Sequence, residues 1–133
     1  MVPYRIVLAN NHAPLREALK RILKERSNLE VIGEAGDGIE LLNLLSLSRL
    51  APQLVIVDPS MANFQGIEAI RKVKAIYPEL KVLILSMHKD KEYLSQAISS
   101  GAEGYLIKET VDKELLPAIE TIMQGRLYVP PFP

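Results

Sequence analysis

The sequence predicts a single doubly wound α/β domain: a five-stranded parallel sheet with helices on both faces. Three observations carry that expectation. Five short apolar runs alternate with helical patterns along the chain. The central runs, Leu54-Val55-Ile56-Val57 and Val82-Leu83-Ile84-Leu85, lack the polar alternation of a half-exposed strand and read as buried on both faces. Four of the five runs, moreover, end directly in a polar residue: Asn10, Asp58, Ser86 and Lys108. In an open α/β sheet that carboxyl edge is where ligands bind.

Taken in order, Arg5-Ile6-Val7-Leu8-Ala9 is the first strand and ends at Asn10-Asn11-His12. Pro14 suits a first helical turn, where its missing N–H costs nothing. Leu15, Ala18, Leu19, Ile22 and Leu23 then recur at helical spacing, which predicts an amphipathic helix to about Arg26. Leu29 to Ala35 alternates well enough for a second, more exposed strand. Asp37, with Glu40 three residues on, is a cap for a helix carrying Leu41 to Leu47. Pro52 separates that helix from the strand at 54–57, and Pro59 ends the strand. A loop runs to Gly66, a helix follows over 67–77, and Pro78 stops it.

Lys81 to Ser86 is the fourth strand, and a helix through Tyr93, Leu94, Ala97 and Ile98 ends near Gly101. Residues 104–108 form the fifth strand. The last helix spans roughly 111–124 with Gly125 as its C-cap. Pro117 falls inside it and either removes one backbone hydrogen bond or pushes the helix start toward Glu114. The domain is expected to occupy 1–125. Residues 126–133, with three prolines among them, read as a linker or tail without regular structure.

Composition narrows the function. A chain of 133 residues, 48% of them hydrophobic, fills one sizeable core. Sixteen basic and sixteen acidic side chains leave no overall field toward nucleic acid or an anionic membrane. The absence of cysteine excludes disulfides, thiolate metal sites and a Cys nucleophile. No apolar run reaches membrane-spanning length, and the N-terminus lacks the apolar centre of a signal peptide, so a cytoplasmic domain is expected.

Each strand-end residue has a plain reading when taken singly. Asp58 and Ser86 could cap the next turn, Asn10 and Asn11 could form turns, and Lys108 could be a solvated end. Together a carboxylate, a hydroxyl and an ammonium on one sheet edge make a polar pocket. His12 and His88 border it and read first as turn or helix-start residues.

The motifs resemble those of the CheY-like receiver domain of two-component response regulators. The matching stretches are Leu54-Val55-Ile56-Val57-Asp58 with Gly66 eight residues on, Leu85-Ser86-Met87-His88, and Gly101-Ala102-Glu103-Gly104-Tyr105-Leu106-Ile107-Lys108. The last two, with Gly125-Arg126, resemble the NarL/FixJ branch. The resemblance covers residues 4–125 and implies strand order 2-1-3-4-5. It implies that Asp58 accepts a phosphoryl group from a sensor histidine kinase. Lys108 and Ser86 would contact phosphoryl oxygens, Tyr105 would be the aromatic whose rotamer reports the state of the site, and the Ser60 carbonyl would ligate Mg²⁺.

One departure stands out. The family normally carries two acids after the first strand to hold Mg²⁺, and here both are amides, Asn10 and Asn11. The usual pocket sums to minus two, whereas Asp58 and Lys108 sum to zero. Mg²⁺ is bound mainly through carboxylates, so weak metal binding and impaired phosphorylation are expected. The alternative is a degenerate receiver that docks or dimerises without phosphorylation. A flavodoxin-like enzyme is the distant third, because no glycine-rich phosphate loop follows any strand. The expected partners are the kinase and, as an open option, a second copy in a homodimer. Neither nucleic acid nor membrane is expected to bind this chain itself. A DNA-binding domain usually follows such receivers, so the chain reads as a piece of a transcription regulator or as a stand-alone module.

Overall fold

The computed structural model describes residues 2–47 and 49–130. It contains β1 (Tyr4–Ala9), α1 (Ala13–Leu23), β2 (Leu29–Ala35), α2 (Gly38–Leu45), β3 (Leu54–Val57), α3 (Gly66–Ile76), β4 (Lys81–Ser86), α4 (Lys91–Ser99), β5 (Gly104–Ile107) and α5 (Val111–Met123). All strand pairs are parallel, in the order β2-β1-β3-β4-β5. The expected fold is therefore the observed one.

The two-residue period of the strands sorts their side chains between two cores. Val7, Val55, Val57 and Ile84 face α2, α3 and α4, with Leu41, Ile70 and Ala97 packed against them. Ile6, Leu8, Ile56 and Leu83 face the other way, against Leu19 of α1 and Leu115 and Ile119 of α5. Because both faces are covered, β3 is buried at every position, which is why its sequence shows no polar alternation. Each such side chain contributes roughly 1.5–3 kcal/mol relative to exposure.

Two helix starts, those of α2 and α4, are capped by side chains. The Asp37 carboxylate accepts the Glu40 N–H at 2.8 Å and so caps α2 as expected, while the Glu40 carboxylate accepts from Gly36 N–H at 2.6 Å. Asp90 caps α4 by accepting the Tyr93 N–H at 2.7 Å. Pro117 lies within α5, which begins at Val111, so it removes a backbone bond and does not displace the helix start. Its ring is exposed on the outer face. Lys108 is not the last strand residue; it opens a single 3-10 turn, Lys108–Thr110, that leads into α5.

The tail, expected to lack regular structure, docks on the sheet edge. Tyr128 forms a parallel bridge with Gly104. Its N–H donates to Glu103 O and its carbonyl accepts from Tyr105 N–H, both at 3.0 Å. An edge strand presents unpaired N–H and C=O groups, and this segment satisfies some of those of β5. Pro130 is buried, while residues 131–133 lie outside the described residues. The Tyr128 hydroxyl donates to Glu114 Oε1 of α5 at 2.6 Å. Burial first, then that carboxylate, pushes its pKa up to about 12.

A raised folded pKa means the stabilisation is complete below the unfolded value near 10 and is lost as pH rises toward 12. Tyr128→Phe is expected to lower stability at pH 7 by about 0.5–1 kcal/mol, modest because the pair is partly solvated. Urea melts should show the gap between the two proteins closing from pH 10 upward. A gap that persists unchanged there would mean the hydroxyl is not the tie.

Candidate functional site

β3 delivers Asp58 to the carboxyl edge of the sheet. Its N–H continues the ladder to Ala9 O at 2.9 Å, and its side chain is 2% exposed. Oδ2 accepts from Lys108 Nζ at 2.6 Å. Oδ1 accepts from both the Ser60 N–H, at 2.9 Å, and the Ser60 hydroxyl, at 2.7 Å. Burial is the largest single influence on this carboxyl and opposes ionisation. The hydrogen bonds from Lys108 and Ser60 and the Lys108 charge together outweigh it and hold the pKa below the ordinary carboxylate range. Asp58 is therefore an ionised, oriented carboxylate at neutral pH.

The neighbouring strand ends complete the pocket. Ser86 ends β4 and is buried, and its Oγ accepts the His88 N–H at 3.0 Å. Tyr105 on β5 is fully buried, and its hydroxyl donates to His88 O at 2.9 Å. His88 in turn stacks on Tyr93 of α4, with ring centroids 4.3 Å apart, and Tyr93 meets Tyr105 edge-on at 6.2 Å. Burial raises the Tyr93 pKa and the Asp58 charge raises it further. The carboxylate is thus felt electrostatically by the aromatic cluster beneath α4.

Asn10 and Asn11 part company. Asn10 is buried, and its Oδ1 accepts the His12 N–H at 2.7 Å. Its Nδ2 is buried without a partner among the described residues. Asn11 and His12 are exposed. Arg16 of α1 donates to Asn10 O and to Glu34 of β2, which also pairs with Lys20 at 2.8 Å.

The structure thus brings Asp58, Lys108, Ser60, Ser86, Tyr105 and Asn10 to one edge, while Asn11 beside them is exposed. Sequence reading did not find two features. Ser60 serves Asp58 with its hydroxyl and N–H, which the Asx-turn geometry of Asp-Pro-Ser hints at. Tyr93, read only as a helix-face residue, carries the stack on His88; no sequence signal marks that role.

A domain with this sheet order, a buried carboxylate after the third strand and a lysine after the fifth matches the model of the response regulator receiver domain over residues 6–120. The chain belongs to that family. It is 38% identical over 126 residues to the oxygen regulatory protein NreC of Staphylococcus epidermidis, covering 94% of this chain and 57% of that protein. It is 35% identical over 127 residues to the transcriptional regulatory protein DegU of Brevibacillus brevis, covering 96% of this chain and 53% of that protein. The receiver therefore spans little more than half the length of these curated relatives. Among solved structures, a LuxR-family two-component response regulator from an Aurantimonas species superposes with a TM-score of 0.86 at 32% identity, covering 95% and 89% of the two chains.

Receiver domains generally use Mg²⁺ at this site, so the donor set matters. Asp58 is its one carboxylate, and both of its oxygens already accept from Lys108 and Ser60. The one oxygen of the Asn10 amide is committed to His12. Among the described residues no group of three His, Cys, Asp or Glu side chains could hold a metal ion. A single carboxylate paired with Lys108 leaves the pocket without net negative charge, so these residues fit Mg²⁺, a hard cation, poorly. No helix of the described residues is long and apolar enough to cross a membrane.

Proposed function

We propose that this receiver accepts a phosphoryl group on Asp58 from a sensor histidine kinase, slowly compared with receivers that carry two acids after the first strand. The observation that carries the reading is the Asp58 carboxylate, buried, ionised and held by Lys108 at 2.6 Å and by Ser60. Lys108 and Ser86 are the groups to meet the phosphoryl oxygens. Tyr105 is the aromatic that registers the change. Asn10 and Asn11 stand where the family carries its acids, so Lys108 alone, without a divalent cation, neutralises the charge that develops during transfer. The names of the relatives, one a transcriptional regulatory protein and one an oxygen regulatory protein, support control of transcription through an output domain outside this chain. DNA contact belongs to that domain, the receiver works in the cytoplasm, and a second copy of the receiver is a candidate partner for output.

A second reading is favoured by one observation. Asp58 and Lys108 form a closed, neutral pair, and such a pocket can hold one conformation whatever the phosphodonor. The chain would then be a docking module set by its partners.

Intact mass and oligomeric state before and after acetyl phosphate with Mg²⁺ separate the two. The first reading expects a slow gain of one phosphoryl group, absent in Asp58→Asn, with a matching change in association. No gain in the natural chain, and the same association in Asp58→Asn, would leave only the docking module.

A further inference from the structure

We infer that Asn10 is an oxyanion donor of the Asp58 pocket, and that the pocket takes a tetrahedral oxyanion without any divalent cation. The inference rests on the receiver reading above and specifies the ligand of its site and that ligand's independence of metal.

Asn10 is 2% exposed and follows β1 directly. Ala9 is the register partner of Val57, and Asp58 N–H donates to Ala9 O. Asn10 and Asp58 are therefore the next step of the same parallel ladder, and their side chains leave the sheet on the same face. The Asn10 backbone N–H is used by Ala35 O at 2.9 Å and its Oδ1 by His12 N–H. Only Nδ2 is left, buried and without a partner among the described residues. An amide NH₂ is a donor alone. It cannot ligate a cation, and its need is an acceptor oxygen.

The oxygens of Asp58 do not meet that need: they accept from Lys108 and Ser60, and neither accepts from Asn10 Nδ2. A phosphoryl group on Asp58 brings three further oxygens to the same edge. In the step itself, an Asp58 carboxylate oxygen attacks the phosphorus of an acyl phosphate. The bond from phosphorus to the acyl oxygen breaks, and its electron pair departs on the carboxylate leaving group. Lys108 follows from Asp58 Oδ2 to one phosphoryl oxygen, and Asn10 Nδ2 donates to another. No metal enters the balance.

The test uses beryllofluoride, a stable phosphoryl mimic, in metal-free buffer and in buffer with Mg²⁺. The Asn10 side-chain NH₂ resonances should shift on binding, with affinities in the two buffers agreeing within about twofold. Asn10→Asp keeps the acceptor for His12 and replaces the donor by an anion. Its metal-free affinity should fall at least tenfold and recover with Mg²⁺. Asn10→Leu should lose the affinity and recover nothing. Amide spectra of the free variants check that both fold, and the natural chain decides the question if either does not. Binding of beryllofluoride by the natural chain only with Mg²⁺ would overturn the inference. So would no binding in either buffer, or metal-free binding by Asn10→Asp equal to that of the natural chain. Metal-free binding with the Asn10 shift, but no phosphoryl gain from acetyl phosphate, would sink the phosphorylation reading and leave this inference standing.

Discussion

Replacing Lys108 by Met is expected to destabilise the domain by about 2–3 kcal/mol at pH 7 and to give it a pH dependence of opposite sign. Asp58 is 2% exposed and Lys108 24% exposed. Removing one partner of a fully buried pair costs about 3–5 kcal/mol, and the lower figure here allows for water reaching the vacated side. In the natural chain the folded pKa of Asp58 lies below its unfolded value. That contribution is present at neutral pH and is lost as pH falls from about 4 through the folded value. Without Lys108, only the Ser60 bonds still oppose burial, and the folded pKa is expected to rise above the unfolded value. The folded state then takes up the proton first, so the variant gains stability as pH falls from 7 toward 4, where the natural chain is flat. Urea melts at several pH values in that window read the sign directly. Adding Asp58→Asn to the variant should recover most of the loss, because no charge is left buried. A flat profile for Lys108→Met would mean that Asp58 is solvated when unpaired.

Much of this arrangement is legible in the sequence because one physical rule covers it. A strand buried on both faces must be apolar throughout, so the first polar residue after it marks the sheet edge. Asp58 and Ser86 are visible for that reason, and Lys108 nearly so, displaced by one residue into a 3-10 turn. Asn10 and Asn11 look equivalent in sequence, yet only the first is buried. The difference arises where the chain turns from β1 into α1, and spacing carries no record of it. The docking of Tyr128 was hidden more deeply. The prolines after it signal an end of regular structure, while its pairing depends on a β5 edge that exists only once the sheet has assembled. At Ser60 the resemblance points only to the carbonyl, while the hydroxyl and N–H are the groups that bond Asp58.

Gly38→Ala is expected to destabilise the domain by about 3 kcal/mol or somewhat more, although helix propensity alone predicts the reverse. Alanine inside a helix is favoured over glycine by about 1 kcal/mol. Gly38, however, opens α2 against the loop that follows Asp58. A Cβ there would lie 1.9 Å from Asn63 O and 2.5 Å from the Asn63 carbonyl carbon. These are backbone atoms, so no rotamer change relieves the clash, and overpacking typically costs about 1–3 kcal/mol even where side chains can yield. The Gly38 N–H also donates to Ala62 O at 2.8 Å, and the Asn63 amide to Asp37 Oδ2 at 3.2 Å. Relief must therefore come from moving the loop, which begins with Ser60. Loss of the two Ser60 bonds would let burial raise the Asp58 pKa. Gly66→Ala is the control, with φ +55° and nothing within 4 Å of an added Cβ. It should lose only the cost of a left-handed alanine, about 1 kcal/mol, and leave Ser60 in place. Melting curves rank the two variants, and the Ser60 amide resonance, shifted in Gly38→Ala alone, locates the damage. Equal stability of Gly38→Ala and the natural chain would mean the loop yields freely, and the link from α2 to Asp58 would fall with it.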